Sequence, residues 1–211
     1  MLNEIWTRSW QALGADGDGA LVKQQLIQAY QEPHRKYHTL QHLKECLAIY
    51  QEHFQNAQNA AEVAIALWFH DAIYNVKALD NEERSASWAI EALSAGNAHP
   101  KHINKIKSHI LATRHAQPPQ GDDQKLLVDI DLSILGAQAS RFEQYELQVR
   151  QEYSFVPDFF FNRKRKKLLQ SFLDRENIFL TPPFQQKYEA RARYNISRSI
   201  AALNGAFALT Q

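Results

Sequence analysis

Two segments of the 211-residue chain place histidine beside aspartate or a second histidine. In the first, His38 and His42 are four residues apart, so on a helix both imidazoles point from one face into one cavity. The second contains the adjacent pair His70 and Asp71, directly after a fully apolar stretch, where a charged pair requires a partner or a metal ion. Because neighbouring residues lie about 100° apart around a helix, we expect this pair to reach one ion from the end of its helix.

A third segment, VDIDLSILG, sets Asp129 and Asp131 into apolar surroundings. At least one of these carboxylates should have a compensating cation nearby. Two neutral imidazoles and two carboxylates form a mixed nitrogen and oxygen ligand set, which suits Mn²⁺, Fe²⁺, Co²⁺, Ni²⁺ or Zn²⁺ and leaves positions for water and substrate. These ligand types therefore predict a divalent transition-metal site without selecting one metal.

The segments that must position these residues show helical periodicity between clusters of Gly and Pro. About nine helices are predicted, at residues 21–31, 37–54, 60–73, 80–94, 100–115, 122–135, 141–153, 157–176 and 184–209, with boundary errors of about two to four residues. No segment shows the alternation of a β-strand. The pattern therefore predicts an all-α bundle in a single domain over residues 1–211, with a metal-site core at about 20–136 and C-terminal helices at 140–209 packing on it.

Composition limits the range of functions. The chain is 45% hydrophobic and 22% charged, values typical of soluble globular domains. Its formal net charge of +1 gives no bulk attraction to nucleic acid polymers or anionic membranes. The single cysteine, Cys46, cannot form an internal disulfide, and neither a signal-like segment nor an apolar run of about 18 residues is present. We therefore expect a cytoplasmic protein that does not associate with membranes.

Taken together, the three segments resemble the HD superfamily of metal-dependent phosphohydrolases, whose signature is a histidine, a later His-Asp doublet and a distant aspartate on helices. The residues that match it are His42, His70, Asp71 and Asp131, and the resemblance implies that they bind the metal. The Asp129-x-Asp131 segment is similar to the closing motif of several members, in which the second aspartate is the ligand. The segments WFHDAIYN, NEERSA, DIDLSILG and EARARYN resemble a bacterial group of predicted HD phosphohydrolases over nearly the whole chain.

The resemblance implies hydrolysis of a phosphomonoester or phosphodiester. In such a site the metal polarises a phosphoryl oxygen and lowers the pKa of its bound water, which becomes the nucleophile. The segment from Tyr37 to His42 resembles an element of cyclic-nucleotide phosphodiesterases in which the first histidine, here His38, protonates the leaving group. Thr39 stands where that element has asparagine. The expected partners are a small phosphorylated substrate, such as a nucleotide or a related molecule, and, if the chain forms a homodimer, a second copy of it.

Four further residues are candidates for the site. Some HD enzymes use an acidic residue after the doublet to position water, and Glu82 or Glu83 is the nearest, although either residue also suits the first turn of a helix. Arg35 precedes the proposed catalytic segment and is a candidate for binding a substrate phosphate. His109 and His115 are candidates for binding a second metal ion or the substrate phosphate, with a cleft-lining role as the alternative.

Two other functions fit the same residues. One is a di-iron HD-type oxygenase, in which His109 and His115 supply the additional ligands. The other is a non-catalytic sensor that keeps the pocket in order to bind a nucleotide. Separately, the basic run at residues 162–167 is expected to form a solvated helix face or to attract a nucleotide or polyphosphate.

Overall fold

The computed structural model describes the backbone of residues 1–208 and the side chains of residues 1–204. The described chain consists of helices joined by loops and contains no β-strand, which confirms the predicted all-α fold. It forms two compact units, residues 1–131 and a second unit that begins at Leu132. Within the described residues, every helix is too short or too polar to cross a lipid bilayer. The packing of the C-terminal helices on a metal-site core stays a prediction.

The first unit is built around one central helix. Its helices are α1 (Leu2–Ala12), α2 (Ala20–Ala29), α3 (Leu40–His53), α4 (Ala60–Phe69), α5 (Asn81–Ala95), α6 (Pro100–Ala112) and α7 (Asp122–Leu132). Every residue of α4 from Val63 to Phe69 is fully buried. A helix that is apolar all round has to be covered on each side, and α1, α3, α5 and α6 all lie against α4.

Helix α1 is absent from the predicted set, although one of its faces is buried. Trp6 of this helix stacks on Trp10 with ring centroids 5.2 Å apart, and it meets Trp68 of α4 edge-on at the same distance. The turn after α1 passes so close to Trp10 that a Cβ on Gly19 would lie 2.7 Å from the indole ring. Gly19 also has a φ of +60°, a conformation that favours glycine. Glycine therefore lets this turn pass beside the Trp10 ring.

Helix α3 begins at Leu40, three residues after its predicted start. The reason is a local cap, because the Thr39 hydroxyl accepts a hydrogen bond from the backbone N–H of Gln41 at 3.3 Å. His38 therefore precedes the helix, and the prediction that it shares a helix face with His42 is wrong. The two rings nevertheless come close, with centroids 6.1 Å apart.

The second unit contains α8 (Ala139–Glu152), α9 (Asp158–Leu173), α10 (Pro182–Phe184), a π-helical turn at Gln185–Glu189 and α11 (Ala190–Ala208). Asn195 of α11 is buried and donates hydrogen bonds to the carbonyl oxygens of Leu135 and Ala137, each at 2.9 Å. A Cβ on Gly136 would lie 2.7 Å from the Cβ of Tyr188 and 2.8 Å from its carbonyl oxygen. This turn therefore needs glycine. The predicted end of the last helix at Leu209 lies outside the described residues.

The basic run lies in α9, and its charges divide between two environments. Arg163, Lys164 and Lys167 are exposed, as expected for a solvated helix face. Arg165 is buried instead, pairs with Glu146 and lies 4.9 Å above the ring centroid of Tyr145. Arg165 therefore contributes to the packing of the second unit and does not belong to the solvated face.

Candidate metal centre

The four predicted metal ligands converge at one point of the first unit. His42 belongs to α3, His70 and Asp71 follow the end of α4, and Asp131 lies at the end of α7. The Nε2 atoms of the two histidines are 3.1 Å apart. The Nε2 atom of His42 lies 3.5 Å from Oδ2 of Asp71 and 3.3 Å from Oδ1 of Asp131. The corresponding distances from Nε2 of His70 are 3.1 and 3.5 Å.

These separations fit a single metal ion. Two ligand atoms that each lie about 2.1 Å from one ion are about 3.0 Å apart at a right angle and about 3.4 Å apart at the tetrahedral angle. The orientation of His70 also fits, because its Nδ1–H donates to the carbonyl oxygen of Leu67 at 2.8 Å and leaves the Nε2 lone pair facing the cluster. His42 and His70 are buried, while 19% of the Asp71 side chain and 15% of the Asp131 side chain stay exposed. Solvent can therefore reach the cluster from the carboxylate side.

The backbone around the doublet explains how both of its side chains reach the cluster. Helix α4 ends at Phe69, four residues before its predicted end, and His70 is its C-cap residue. The doublet therefore lies at the end of its helix, as expected. The chain then leaves the helix, and the backbone N–H of Asp71 donates to the hydroxyl oxygen of Tyr30 at 3.3 Å. The doublet is thus placed by the end of a fully buried helix.

Protonation in the cluster follows the charges of its own members. Burial disfavours the charged imidazolium of both histidines, but the surrounding acidic groups outweigh burial and hold the pKa of His42 and of His70 well above its ordinary value. Burial likewise disfavours the carboxylates, yet the histidines hold the pKa of Asp71 and of Asp131 well below its usual range. The site therefore stabilises positive charge between two carboxylates, as a cation site does.

Two further donors border the cluster. The Sγ atom of Cys46 lies 3.7 Å from Nε2 of His42, and the thiol forms a possible ligand group with His42, His70 and Asp131. Sequence reasoning missed Cys46, although its position four residues after His42 on a helix is a usable signal. On the other side, Nε2 of His115 lies 3.3 Å from Oδ2 of Asp131. Asp131 thus directs one oxygen at two histidines and the other at a third.

His115 reaches Asp131 from an uncommon backbone conformation. Its φ is +55°, in the left-handed region that residues other than glycine rarely adopt. Helix α6 ends at Ala112, and the chain turns sharply before it enters the loop that leads to α7. Such conformations cost about 1–3 kcal/mol and concentrate at functional sites.

Arg35 lies behind the doublet with its side chain fully buried. Its guanidinium donates to the carbonyl oxygens of His38 at 3.2 Å, Asp71 at 2.6 Å and Ala72 at 2.8 Å, and to the carboxylate of Glu32 at 3.0 Å. Contact with a substrate phosphate would require Arg35 to give up some of these bonds. The geometry makes it a residue that positions Asp71 and His38.

The two predicted catalytic side chains lie in different places. His38 is half-buried beside the cluster, where its ring stacks on Tyr74 at a centroid distance of 4.1 Å. Glu83 lies in the first turn of α5 and pairs with Arg114. Both partners of this pair line a groove of about 510 Å³, together with Lys107, Ser108 and Gln124 among others. None of the four predicted metal ligands lines the groove.

His109 does not belong to the cluster around His42, which His115 borders. It belongs to another group of side chains. It is 4% exposed, and neither of its ring nitrogens has a hydrogen-bond partner. Burial lowers the pKa of His109 to about 4. Its neighbours are Glu62 and Asp123, and ligand atoms of the three residues lie within 4.8 Å of one another. The structure thus brings His115 to the predicted metal centre and places His109 elsewhere.

No family model, curated protein or solved structure matches the chain. The evidence for function therefore comes from the site itself: a cluster of histidine, aspartate and cysteine side chains, compatible with a bound metal, in an all-helical protein.

Proposed function

We propose that the protein is a metal-dependent phosphohydrolase with an HD-type site, held by His42, His70, Asp71 and Asp131. The observation that carries this proposal is the convergence of four donors from three helices at separations of 3.1–3.5 Å, which suit one divalent ion. The order of these ligands along the chain also matches the HD signature. A divalent transition ion bound there lowers the pKa of a coordinated water and polarises a phosphoryl oxygen.

The protein side chains supply the proton and the orientation. His38 lies beside the cluster, with its ring centroid 6.1 Å from that of His42, and we assign it the transfer of a proton to the leaving-group oxygen. His38 would give up one proton as the phosphorus–oxygen bond to the leaving group breaks and a water oxygen bonds to phosphorus. It would regain a proton from solvent, which receives the proton that the attacking water loses. Arg35 donates hydrogen bonds to the backbone carbonyls of both His38 and Asp71, so it fixes the position of the proposed acid relative to a proposed metal ligand.

The groove beside α6 is the candidate site for the rest of the substrate. Its volume of about 510 Å³ is in the range of small-molecule sites. Arg114 and Ala116 line it and flank His115 in the chain, and His115 contacts Asp131. Lys107 offers an exposed cationic group for a second phosphate, whereas Arg114 is already paired with Glu83. A lysine at this place suits a nucleotide-like substrate better than a small alkyl ester.

The first test compares metal-restored hydrolysis in the wild type and in the His70→Ala, Asp71→Ala double variant. Metal-stripped protein is assayed with Mn²⁺, Fe²⁺, Co²⁺, Ni²⁺ or Zn²⁺ against p-nitrophenyl phosphates and a panel of nucleotides. We expect activity only with metal and only in the wild type, while the exposed-histidine control His99→Asn behaves as the wild type. Hydrolysis that is independent of metal or survives the double variant would refute the proposal. Tight nucleotide binding without turnover would favour a sensor.

The role of His38 has its own test. His38→Asn should lower kcat about 10²–10⁴-fold for nucleotide substrates with poor leaving groups. The loss should be much smaller for p-nitrophenyl esters, because p-nitrophenolate leaves without protonation. Equal losses for both substrate classes would assign His38 to substrate binding or to structure instead.

A di-iron oxygenase is a second candidate, and one observation favours it. Asp131 faces His42 and His70 with one oxygen and His115 with the other, which is the arrangement of a carboxylate that bridges two ions. This function predicts two irons lost together in Asp131→Asn, and O₂ consumption by the Fe²⁺-loaded protein. A single ion at this cluster and no O₂ consumption would exclude it.

A further inference from the structure

A second group of buried acidic and imidazole side chains lies apart from the centre described above. Glu62 belongs to the first turn of α4, His109 to the last turn of α6 and Asp123 to the first turn of α7. All three are buried, with exposures of 2%, 4% and 9%, respectively. Their ligand atoms lie within 4.8 Å of one another, and none of the three belongs to the cluster around His42.

The imidazole of His109 gives the clearest sign that the group is incomplete as it stands. Both ring nitrogens are buried and lack a hydrogen bond, and the nearest carboxylate oxygen, Oε2 of Glu62, is 3.8 Å from Nε2. That distance is too long for a hydrogen bond. It is compatible with two ligands on one ion, which lie up to about 4.2 Å apart when each is about 2.1 Å from it. A buried polar atom without a partner costs about 1–3 kcal/mol. A bound cation would satisfy one of the two ring nitrogens and so offset part of this cost.

The two carboxylates are already held in place by other groups. Asp123 accepts hydrogen bonds from the backbone N–H groups of Gln58 at 2.8 Å and Asn59 at 2.9 Å. Glu62 binds Nδ1 of His102 through Oε1 at 2.7 Å, which leaves Oε2 towards His109. Ligating carboxylates in metalloproteins are commonly oriented by such hydrogen bonds.

We infer that Glu62, His109 and Asp123 form a second, separate binding site for a divalent transition-metal ion such as Zn²⁺. One imidazole and two carboxylates give the mixed nitrogen and oxygen donors that this class of ion accepts, and water would complete its coordination. The ion joins three helices, and its charge compensates two buried carboxylates. Its role is structural, since it ties the start of α7 to α4 and α6.

The second site is at the opposite end of the helices that carry the first. Glu62 precedes His70 by 8 residues and Asp123 precedes Asp131 by 8 residues. At 1.5 Å per residue, each pair is separated by about 12 Å along its helix axis. An ion at the second site therefore stabilises the axial positions of the two helices whose C-terminal ends supply His70 and Asp131.

The test counts ions in chelator-washed protein reloaded with Zn²⁺, and follows visible absorption with Co²⁺ as the probe. The His70→Ala, Asp71→Ala variant should retain one ion per chain, and adding Glu62→Gln and His109→Gln should remove it. In the wild-type background, the Glu62→Gln, His109→Gln pair should bind one ion fewer than the wild type. His99→Asn removes an exposed imidazole at the N-cap of α6, the opposite end of this helix from His109, and keeps a capping acceptor. Its ion count should therefore not change.

Thermal stability gives a readout independent of activity. Zn²⁺ should raise the Tm of the His70→Ala, Asp71→Ala variant, and the increase should disappear with His109→Gln. His102→Gln should weaken Zn²⁺ binding about 10-fold, because it removes the hydrogen bond that orients Glu62. If the His70→Ala, Asp71→Ala variant misfolds, the test rests on the ion count of the Glu62→Gln, His109→Gln variant in the wild-type background. An unchanged count in folded Glu62→Gln, His109→Gln protein would overturn the inference, leaving a buried imidazole without a ligand.

This inference does not depend on the proposed hydrolase activity. If the first cluster binds no ion and the second does, the wild type holds one ion, which is lost with Glu62→Gln and His109→Gln but not with His70→Ala and Asp71→Ala. The reverse pattern would uphold the hydrolase site and refute the second site.

Discussion

The substitution Arg35→Lys separates a positioning role from a substrate-binding role while it preserves the charge. Arg35 donates to three backbone carbonyls, of His38, Asp71 and Ala72, at 2.6–3.2 Å. A lysine ammonium acts as a single point of donation and can keep about one of these bonds. Two charge-assisted hydrogen bonds of about 1.5–3 kcal/mol each are then lost, so we expect the free energy of unfolding to fall by about 3–6 kcal/mol. The bond to Glu32 is left out of this sum, since that carboxylate is 45% exposed.

The same substitution should loosen the metal centre, because Arg35 holds the backbone of Asp71. We expect about 10–100-fold weaker metal affinity, as is typical when a group that orients a ligand is removed. Urea unfolding of the metal-stripped protein measures the first effect, and a Co²⁺ titration measures the second. Lys36→Arg, a charge-preserving change at the exposed neighbour, should shift stability by less than about 0.5 kcal/mol. Wild-type stability and metal affinity in Arg35→Lys, combined with a raised KM, would refute this reasoning and support the phosphate contact.

Three further outcomes are expected. Cys46→Ala should lower Cd²⁺ affinity about 10-fold and leave Mn²⁺ affinity nearly unchanged, because thiolates prefer soft ions; equal effects on both ions would remove the thiol from the ligand set. Gly136→Ala should destabilise the protein by about 2 kcal/mol, since the new Cβ meets the backbone of Tyr188; a change below about 0.5 kcal/mol in urea unfolding would contradict this. Burial raises the pKa of the Tyr153 phenol, so the unfolded chain ionises first and stability is lost as pH rises above about 10. Tyr153→Phe should reduce this alkaline loss, whereas the exposed-residue control Tyr194→Phe should not.

The members of the candidate metal centre could be predicted because each stands in apolar surroundings and because together they match the order of ligands in the HD signature. His70 and Asp71 end a run of apolar residues, and Asp131 interrupts another. Each is therefore expected to be a buried polar group that needs a partner. The all-α fold followed in the same way from a helical period without β-alternation. The helical period is local, since each segment carries its own signal. The grouping of ligands from three segments was instead implied by the resemblance to the HD signature.

Features that depend on contacts between distant residues could not be predicted. The group formed by Glu62, His109 and Asp123 draws its members from three helices, and each residue alone has an ordinary explanation on a helix surface or at a helix start. Arg35 was interpreted from its place before a catalytic segment, but its position depends on carbonyl groups 36 and 37 residues later. The predicted start of α3 is wrong because Thr39 caps the helix with its side chain. The spacing of apolar residues contains no information about such a cap.

The central helix α4 carries Glu62 near its start and is followed by His70 at its end, so each end serves a different side-chain group. This arrangement limits the insertions and deletions that the helix can accept. Deleting or inserting one residue between Glu62 and His70 would turn one end of the helix by about 100° relative to the other and shift it by about 1.5 Å. Either Glu62 or the His70 doublet would then face away from its partners. The same holds between Asp123 and Asp131 on α7. We therefore expect length variation among natural variants to be confined to the loops, with both intervals kept at 8 residues.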